Sequence, residues 1–438
     1  MSSGNKWSLA ENFGTPLNNT RHNFVESVTP DGNELLLGNH YFKIKTAAEQ
    51  GTYDGVSVSF RKTNGWTYPK NIEIRNFKNY DQYVNYYLTN DGKAMLMGIE
   101  MDDTYGVADI YVSFYENDST WSAPKNLGSV INSAGSEGTP FLAADGVTLY
   151  YCSDGFADYG SSDIYMSRRL DDTWQHWSEP LNIGPPINTP EWDAYYTLPA
   201  SGDYAYYVSQ NNSLGSEDIF RIKLPAVVKP QPVVLVMGRV FNANTNQPLE
   251  AKINYQFLPN GESAGTARSE PDSGRYKIVL PAGKVYGWNA LAEGYYSISE
   301  NFNTDSLHDY TEIKKDIRML PVEKGQVIRL NNIFFDFAKA DLKPSSFPEL
   351  DRLVTFLSQQ LTVNISIDGH TDDSGSDADN QSLSTSRAAS VRSYLVAKGI
   401  SEQRIESHGY GESRPIALND NEEHRQLNRR VEFRILSR

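Results

Sequence analysis

"STWSAPKNLGSVINS" occupies residues 119–133, and a close copy, "QHWSEPLNIGPPINT", occupies residues 175–189. Both set Trp, Pro, Asn and Gly in one order. Two further copies, "NKWSLAENFGTPLNN" (5–19) and "NGWTYPKNIEI" (64–74), extend the series. Their tryptophans, Trp7, Trp66, Trp121 and Trp177, stand 59, 55 and 56 residues apart. A fixed period of this size marks a repeat architecture. A second series, "YDGVSVSF", "ADIYVSFY", "SDIYMSRR" and "EDIFRIKL", aligns Asp54, Asp109, Asp163 and Asp218 at intervals of 55, 54 and 55. A third marks turns at Asp31-Gly32, Asp91-Gly92, Asp145-Gly146 and Ser201-Gly202. Asp-Gly favours tight hairpins because glycine accepts positive φ. Each unit therefore reads as strand, turn, strand, longer loop, "DIYV" strand, turn and Trp-Pro-Asn strand. Four strands per unit, repeated, is the plan of a β-propeller.

The last unit stops at Pro225 without its Trp strand, while the chain begins with a Trp strand that no unit precedes. Ring closure is the economical expectation, with residues 5–19 completing the last of about four blades in residues 1–225. These repeats resemble the TolB-like, WD-type propeller repeats of bacterial envelope proteins. That resemblance implies a platform for a protein partner. No pair of carboxylates stands at a spacing that glycan cleavage would need.

Composition bounds the alternatives. The 438 residues are 39% hydrophobic, enough for packed cores in several domains. A net charge of −15 repels polyanions, so nucleic acid is excluded as a partner. Cys152 is the single cysteine, which leaves no intramolecular disulfide and no cysteine metal site; it follows the strand-like "VTLYY" and reads as a buried thiol. No apolar run reaches the ~18 residues of a membrane helix. "MSSGNKWSLAENFG" has neither a basic nor an apolar leader segment, so an exported protein is expected here without its signal or lipid anchor. No cofactor is expected.

"PAVVKPQPVV" follows the repeats, and its prolines mark a stiff linker over residues 226–235. Residues 236–320 alternate in hydropathy between Asn-, Pro- and Gly-rich turns, which fits a small antiparallel β-sandwich. "GRVFNANTNQPL", "GRYKIVLPAG" and "EGY" resemble a carboxypeptidase regulatory-like domain, a kind that connects other domains. Tyr276, Tyr286, Tyr295 and Tyr296 read as core and rim of that sandwich.

Residues 321–438 change to a mixed pattern, read as β-α-β-α-β-β: an α/β sandwich. "VNISIDGH" alternates as a half-buried strand, and Leu383, Ala388, Val391 and Leu395 mark a helix ending near Gly399. Between them lies "DGHTDDSGSDADNQSLSTSRAASV", with Asp372 on the loop and Arg387 in the helix, roughly 10 Å along the axis beyond Asn380 at ~1.5 Å per residue. An acid and a base held apart suit a zwitterionic ligand; an internal Asp372–Arg387 salt bridge would use the same residues. His370 reads as a supporting side chain, and Arg429 and Arg430 as partners of local acids.

"FFDF", "DGHTDDSG", "LSTSRAASV" and "GYGESRPI…LNRRVEF" together resemble an OmpA-like C-terminal domain across residues 325–438. The resemblance implies peptidoglycan binding, with Asp372 and Arg387 gripping the amino-acid end of diaminopimelate in the peptide stem. It also implies contacts from Thr371, Ser374 and Asn380 and from the loop of Asp336 and Ala338, where Phe337-Ala338 replaces the polar residue frequent in the family. The order propeller, sandwich, OmpA-like domain resembles periplasmic, outer-membrane-associated proteins of Bacteroidota, among them the peptidoglycan-binding accessory component of type IX secretion. The expectation is a non-enzymatic periplasmic adaptor. The rivals are an outer-membrane β-barrel with a periplasmic anchor and an enzyme acting on the wall.

Overall fold

The structure, a computed structural model, describes residues 9, 11–18, 23–41, 55–81, 83–117, 120–156, 159–258, 261–297, 300–330, 333–336 and 339–438. Trp7, Asp54 and most of residues 1–10 lie outside them. The chain is mostly β with few helices, and it divides into two compact units. The first comprises residues 1–240, 248–286 and 302–316, and the second 241–247, 287–301 and 317–438.

Four successive sheets, antiparallel except for one short parallel pair in the second, lie within residues 25–223 of the first unit. The first holds Val25–Val28, Glu34–Gly38 and Val56–Lys62, and the second is built on Asn85–Leu88, Ala94–Ile99 and Asp109–Asn117. Glu137–Leu142, Thr148–Ser153, Asp163–Arg168 and Leu181–Asn182 form the third. Asp193–Thr197, Tyr204–Ser209 and Asp218–Lys223 form the fourth, which has three strands. The turn glycines at 32, 92, 146 and 202 take φ of 73°, 70°, 72° and 61°, as the spacing requires. Central strands are continuously buried, Ala94–Ile99 and Thr148–Ser153 being examples, because neighbouring sheets cover both faces.

Geometry explains why the repeat conserves its Asp, Asn and Gly positions. Asn126 donates to Asp109 Oδ2 at 2.6 Å and accepts from the Gly128 N–H at 2.8 Å. Asn132 then takes the Ile110 N–H at 2.8 Å and donates to the Ile110 carbonyl at 3.1 Å. The next copy repeats every bond: Asn182 to Asp163 at 2.9 Å, Gly184 N–H to Asn182 at 2.8 Å, and Asn188 to both backbone groups of Ile164 at 2.8 Å. This turn thus stands in for the missing ladder on a strand edge and satisfies its buried backbone groups. Residues 12–18 fold into the same turn, with the Gly14 N–H at 2.7 Å and the Asn18 amide at 2.6 Å from Asn12 Oδ1. Leu17 packs with Leu35, Leu37 and Tyr41 of the first sheet. The expected strand pairing of residues 5–19 with the last unit lies largely outside the described residues; residues 11–18 form no strand.

Within the first unit, residues 233–239 pair antiparallel with 275–281, and 234–237 pair parallel with 311–314. Residues 252–256 pair with 263–268. These strands sit against the turns of the sheets: the Arg268 N–H donates to Asp31 at 2.6 Å, and its carbonyl accepts from Asn33 at 2.8 Å. The proline-rich segment contains a short 3-10 turn, Ala226–Val228, and its Val228 is buried in a cluster with Tyr150 and Tyr196. Tyr276 and Tyr286 are core residues; Cys152 is buried, and burial pushes its thiol up while the hydrogen bond from the Thr139 hydroxyl partly offsets this.

The second unit holds a sheet ordered Val327–Leu330, Val431–Ser437, Asn364–Gly369, Ile405–Gly409, with only the last pair parallel. Helices α1 (Phe347–Gln359) and α2 (Asp377–Ala397) share one core with it through Leu350, Leu353, Leu357, Ala388, Val391 and Leu395. A third helix, α3 (Glu422–Asn428), separates the last two strands. The order is therefore β-α-β-α-β-α-β, not the β-α-β-α-β-β expected. The polar run "EEHRQLN" carries no apolar period; Asn421 starts the helix by accepting the His424 N–H at 2.8 Å.

Candidate functional site

Two glycines bring the loop and helix of the candidate site together. A Cβ on Gly369 would stand 2.4 Å from the Ser384 carbonyl, and one on Gly409 would stand 2.3 Å from the Thr385 nitrogen. Only a bare backbone admits α2 so close to both strand ends. Ser376 caps α2, and its hydroxyl bonds to Asp379. The helix starts at Asp377, so Arg387 lies ten residues in, about 15 Å along the axis. Asp373, Asp377 and Asp379 are exposed.

Asp372 is buried at the loop's base. Its Oδ2 accepts from Arg429 Nη1 at 2.6 Å and its Oδ1 from the Ser374 N–H at 3.1 Å. Burial alone would push the carboxyl up; the hydrogen bonds from Arg429 and Ser374 outweigh it and hold it below the usual carboxylate range. Arg429 also reaches Glu422 and Gln426, both at 2.5 Å. The ion pair of Asp372 is thus with Arg429, 57 residues away in sequence. The internal Asp372–Arg387 bridge is not made.

Arg387 has a different environment. Its Nε donates to the Lys339 carbonyl at 3.1 Å, and its guanidinium lies 4.9 Å over the Phe335 ring. Among the described residues no carboxylate forms an ion pair with it. Burial lowers its pKa, the nearby Arg429 charge adds to this, and Asp372 opposes it. Arg387 therefore senses Asp372 electrostatically without being neutralised by it.

The supporting residues divide. Asn380 is buried and donates to the Asp372 carbonyl at 3.3 Å and to Glu412 at 2.6 Å, tying loop to helix. Thr371 is buried, and its N–H donates to the Gly411 carbonyl. Ser374 contributes its backbone to Asp372 and is exposed. Asp336 is exposed and paired with Lys343 at 2.8 Å; Ala338 lies outside the described residues. His370 is buried, stacks on Tyr410 and stands 3.4 Å from Glu432. Burial would raise the Glu432 carboxyl, but its bonds to His370 and Arg430 bring it to about 2. Sequence reasoning placed Arg429 and Arg430 beside local acids without finding that one of those acids is Asp372. The signal was available only as a charge-balance question: a buried acid needs a partner, and Arg387 is too far along its helix. Among the described residues no group of three or more His, Cys, Asp or Glu could hold a metal ion, and no helix is long and apolar enough to cross a membrane.

A four-stranded mixed sheet with two long helices on one core is the frame on which Asp372 and Arg387 are carried, and it is an α/β domain of OmpA-like class. Residues 334–429 match the model of the OmpA family. The chain is 32% identical over 155 residues to a peptidoglycan-associated lipoprotein of Buchnera aphidicola, covering 35% of this chain and 86% of that one. It is 45% identical over 112 residues to the outer membrane porin F of Pseudomonas fluorescens, covering 25% of this chain and 34% of the porin. Among solved structures, the peptidoglycan-associated lipoprotein of Burkholderia pseudomallei is 27% identical, with a TM-score of 0.23, covering 24% of this chain and 87% of that one. The chain belongs to the OmpA family. It spans about a third of the length of the porin relatives it matches.

Proposed function

We propose that the C-terminal domain anchors this chain to peptidoglycan, taking the zwitterionic end of a diaminopimelate-containing stem peptide between Asp372 and Arg387. The observation that carries this reading is the unequal pairing of the two. Arg387 is backed by Phe335 and has no acid of its own among the described residues, which leaves its terminal N–H groups for a two-pronged carboxylate contact. Asp372 is held in place by Arg429 and Ser374, and a carboxylate's ~4 lone-pair positions leave room for an ammonium.

In this reading the protein is a non-enzymatic adaptor in the periplasm, associated with the outer membrane. Its four sheets are propeller blades that carry an outer-membrane or periplasmic protein partner, and the order of its parts supports a place in a type IX secretion or gliding machine. Against the membrane-barrel rival speaks the division of the described strands into seven sheets, where a barrel needs one sheet closed on itself.

Sacculus pull-down beside thermal melts tests the anchor. Arg387→Ala should lower binding about tenfold to a hundredfold, the ~1.5–3 kcal/mol of a lost charged hydrogen bond, with little change in melting. Asp372→Ala should lose binding and also stability, because Arg429 is left without its buried acid. Amidating the stem's free carboxylate should mimic Arg387→Ala. Wild-type binding by folded Arg387→Ala protein would end the proposal.

A further inference from the structure

The first strands of the four sheets surround a cavity of about 720 Å³ inside the first unit. Val25–Val28, Asn85–Tyr87, Thr139–Phe141 and Tyr195–Leu198 form its wall, and Val233, Leu235, Val279 and Tyr310 line it as well. That volume lies within the ~300–1,000 Å³ of small-molecule sites. Its polar groups form a chain from sheet to sheet. The Tyr86 N–H donates to Glu26 Oε2, the Thr139 N–H to Asn85 Oδ1 and the Tyr195 N–H to Thr139 Oγ1, each at 3.2 Å. Thr139 and Tyr195 hold positive φ of 46° and 52°, in strands whose register shifts at those residues. A threonine and a tyrosine in that region are strained, and here the strain turns both N–H groups to the neighbouring strand.

Two carboxylates line the cavity, and they differ in what they have left to offer. Asp145 is fully engaged: Oδ1 accepts from Val147 and Thr148, and Oδ2 from the Thr148 hydroxyl and Gln231. Glu26 accepts one N–H, on Oε2, and no cation among the described residues pairs with it. The Tyr196 side chain is buried, lines the same cavity, and its hydroxyl has no partner among the described residues. A lone sheltered carboxylate, an orphaned hydroxyl and several tyrosine faces make an environment that favours positive charge.

We propose that this cavity is a binding site for a primary ammonium group on an apolar body, with Glu26 as its counter-ion. The chemistry could be presented by a free amine or by the amino end of a peptide, and the two are separable by experiment. Burial raises Glu26 to about 7, and the Tyr86 N–H only partly offsets this. A cation and a proton therefore compete for the same carboxylate in the physiological range. The other titratable groups on the walls are Tyr86, Tyr87, Tyr195, Tyr196 and Tyr310, with Asp145 and Lys277. Tyrosines lose their protons near ~10 or above, and burial moves Tyr87, Tyr195 and Tyr196 higher still. Glu26 is thus the carboxylate of this cavity that burial brings to about 7.

Calorimetric titration of the full chain with butylammonium, and with 1-butanol as the neutral isostere, tests the site. Butylammonium should bind at pH 8 and about tenfold more weakly at pH 6, where Glu26 is mostly protonated. Butanol should bind more weakly than butylammonium at pH 8 and show no such dependence. Glu26→Gln keeps an acceptor for the Tyr86 N–H and should abolish the preference for the ammonium; the wild-type pH profile tests the same point without a variant. A tripeptide with a free amino end, against its acetylated form, separates the two sources. No butylammonium binding at millimolar concentration, equal affinity for the alcohol, or an affinity flat with pH would overturn the proposal. Sacculus binding by Glu26→Gln protein should stay at the wild-type level, so failure here leaves the anchor reading untouched.

Discussion

The third strands of the third and fourth sheets begin almost alike, as "DIYMSR" and "DIFRIK". In the third sheet Asp163 receives Asn182, and both backbone groups of Ile164 are taken by Asn188. Ile164 is 0% exposed. In the fourth sheet Asp218 receives the Leu214 N–H, no described asparagine turn follows, and Ile219 is 77% exposed. Meanwhile residues 12–18 form the same asparagine turn, with no bond to a strand edge among the described residues beyond the Tyr41 hydroxyl on the Leu17 carbonyl. The difference shows that the turn's own bonds, through Asn12, Gly14 and Asn18, are made in the structure without a described strand edge beneath them. An edge, in contrast, is buried only when its turn arrives. Whether residues 12–18 cover Asp218–Ile219 in solution is therefore a question of docking alone.

The largest effect should come from the isoleucines, read by urea denaturation. Ile164→Ala should cost about 2–5 kcal/mol, the range for emptying a packed core position. Ile219→Ala should cost under about 0.5 kcal/mol, as a surface change does. Equal losses would break the comparison and mean that the N-terminal turn sits on the fourth sheet.

Next come the asparagines. Asn188→Ala strands the buried N–H and carbonyl of Ile164 and should cost about 2–4 kcal/mol. Asn18→Ala should cost about 1 kcal/mol or less if its only role is the bond to Asn12, and as much as Asn188→Ala if it caps Ile219. The smallest effect on stability is expected from Ile219→Lys. A charge on a bare edge should leave the melting temperature unchanged and reduce self-association in sedimentation velocity. A lowered melting temperature would again argue for a covered edge.

The repeated sheets were legible because the turn chemistry repeats: Asp, Asn and Gly recur where a buried backbone group or a positive φ demands them. The proline-rich segment was harder. Prolines announce an extended path, but Val228 is buried by residues such as Tyr150 and Tyr196, which no local pattern reveals. Helix α3 escaped for a related reason, since its cap and its two leading acids were visible while an apolar stripe was not. At the site, Asp372 and Arg387 stood out by type and spacing. Arg429 did not, because its role depends on the strand Val431–Ser437 lying beside Asn364–Gly369, a pairing across half a domain.

That central strand has a mechanical consequence. Asn364–Gly369 is flanked on both sides, by Ile405–Gly409 running parallel and by Val431–Ser437 running antiparallel, and Asp372 leaves its end after two residues. Tension applied at Asp372 along the strand axis would load both ladders in shear, so that many hydrogen bonds resist together and none can be peeled first. The Arg429 contact adds a second tether from α3's end of the chain, sharing that tension with a neighbouring strand. A load taken up at Asp372 would therefore be shared by the whole sheet and not borne by the loop alone.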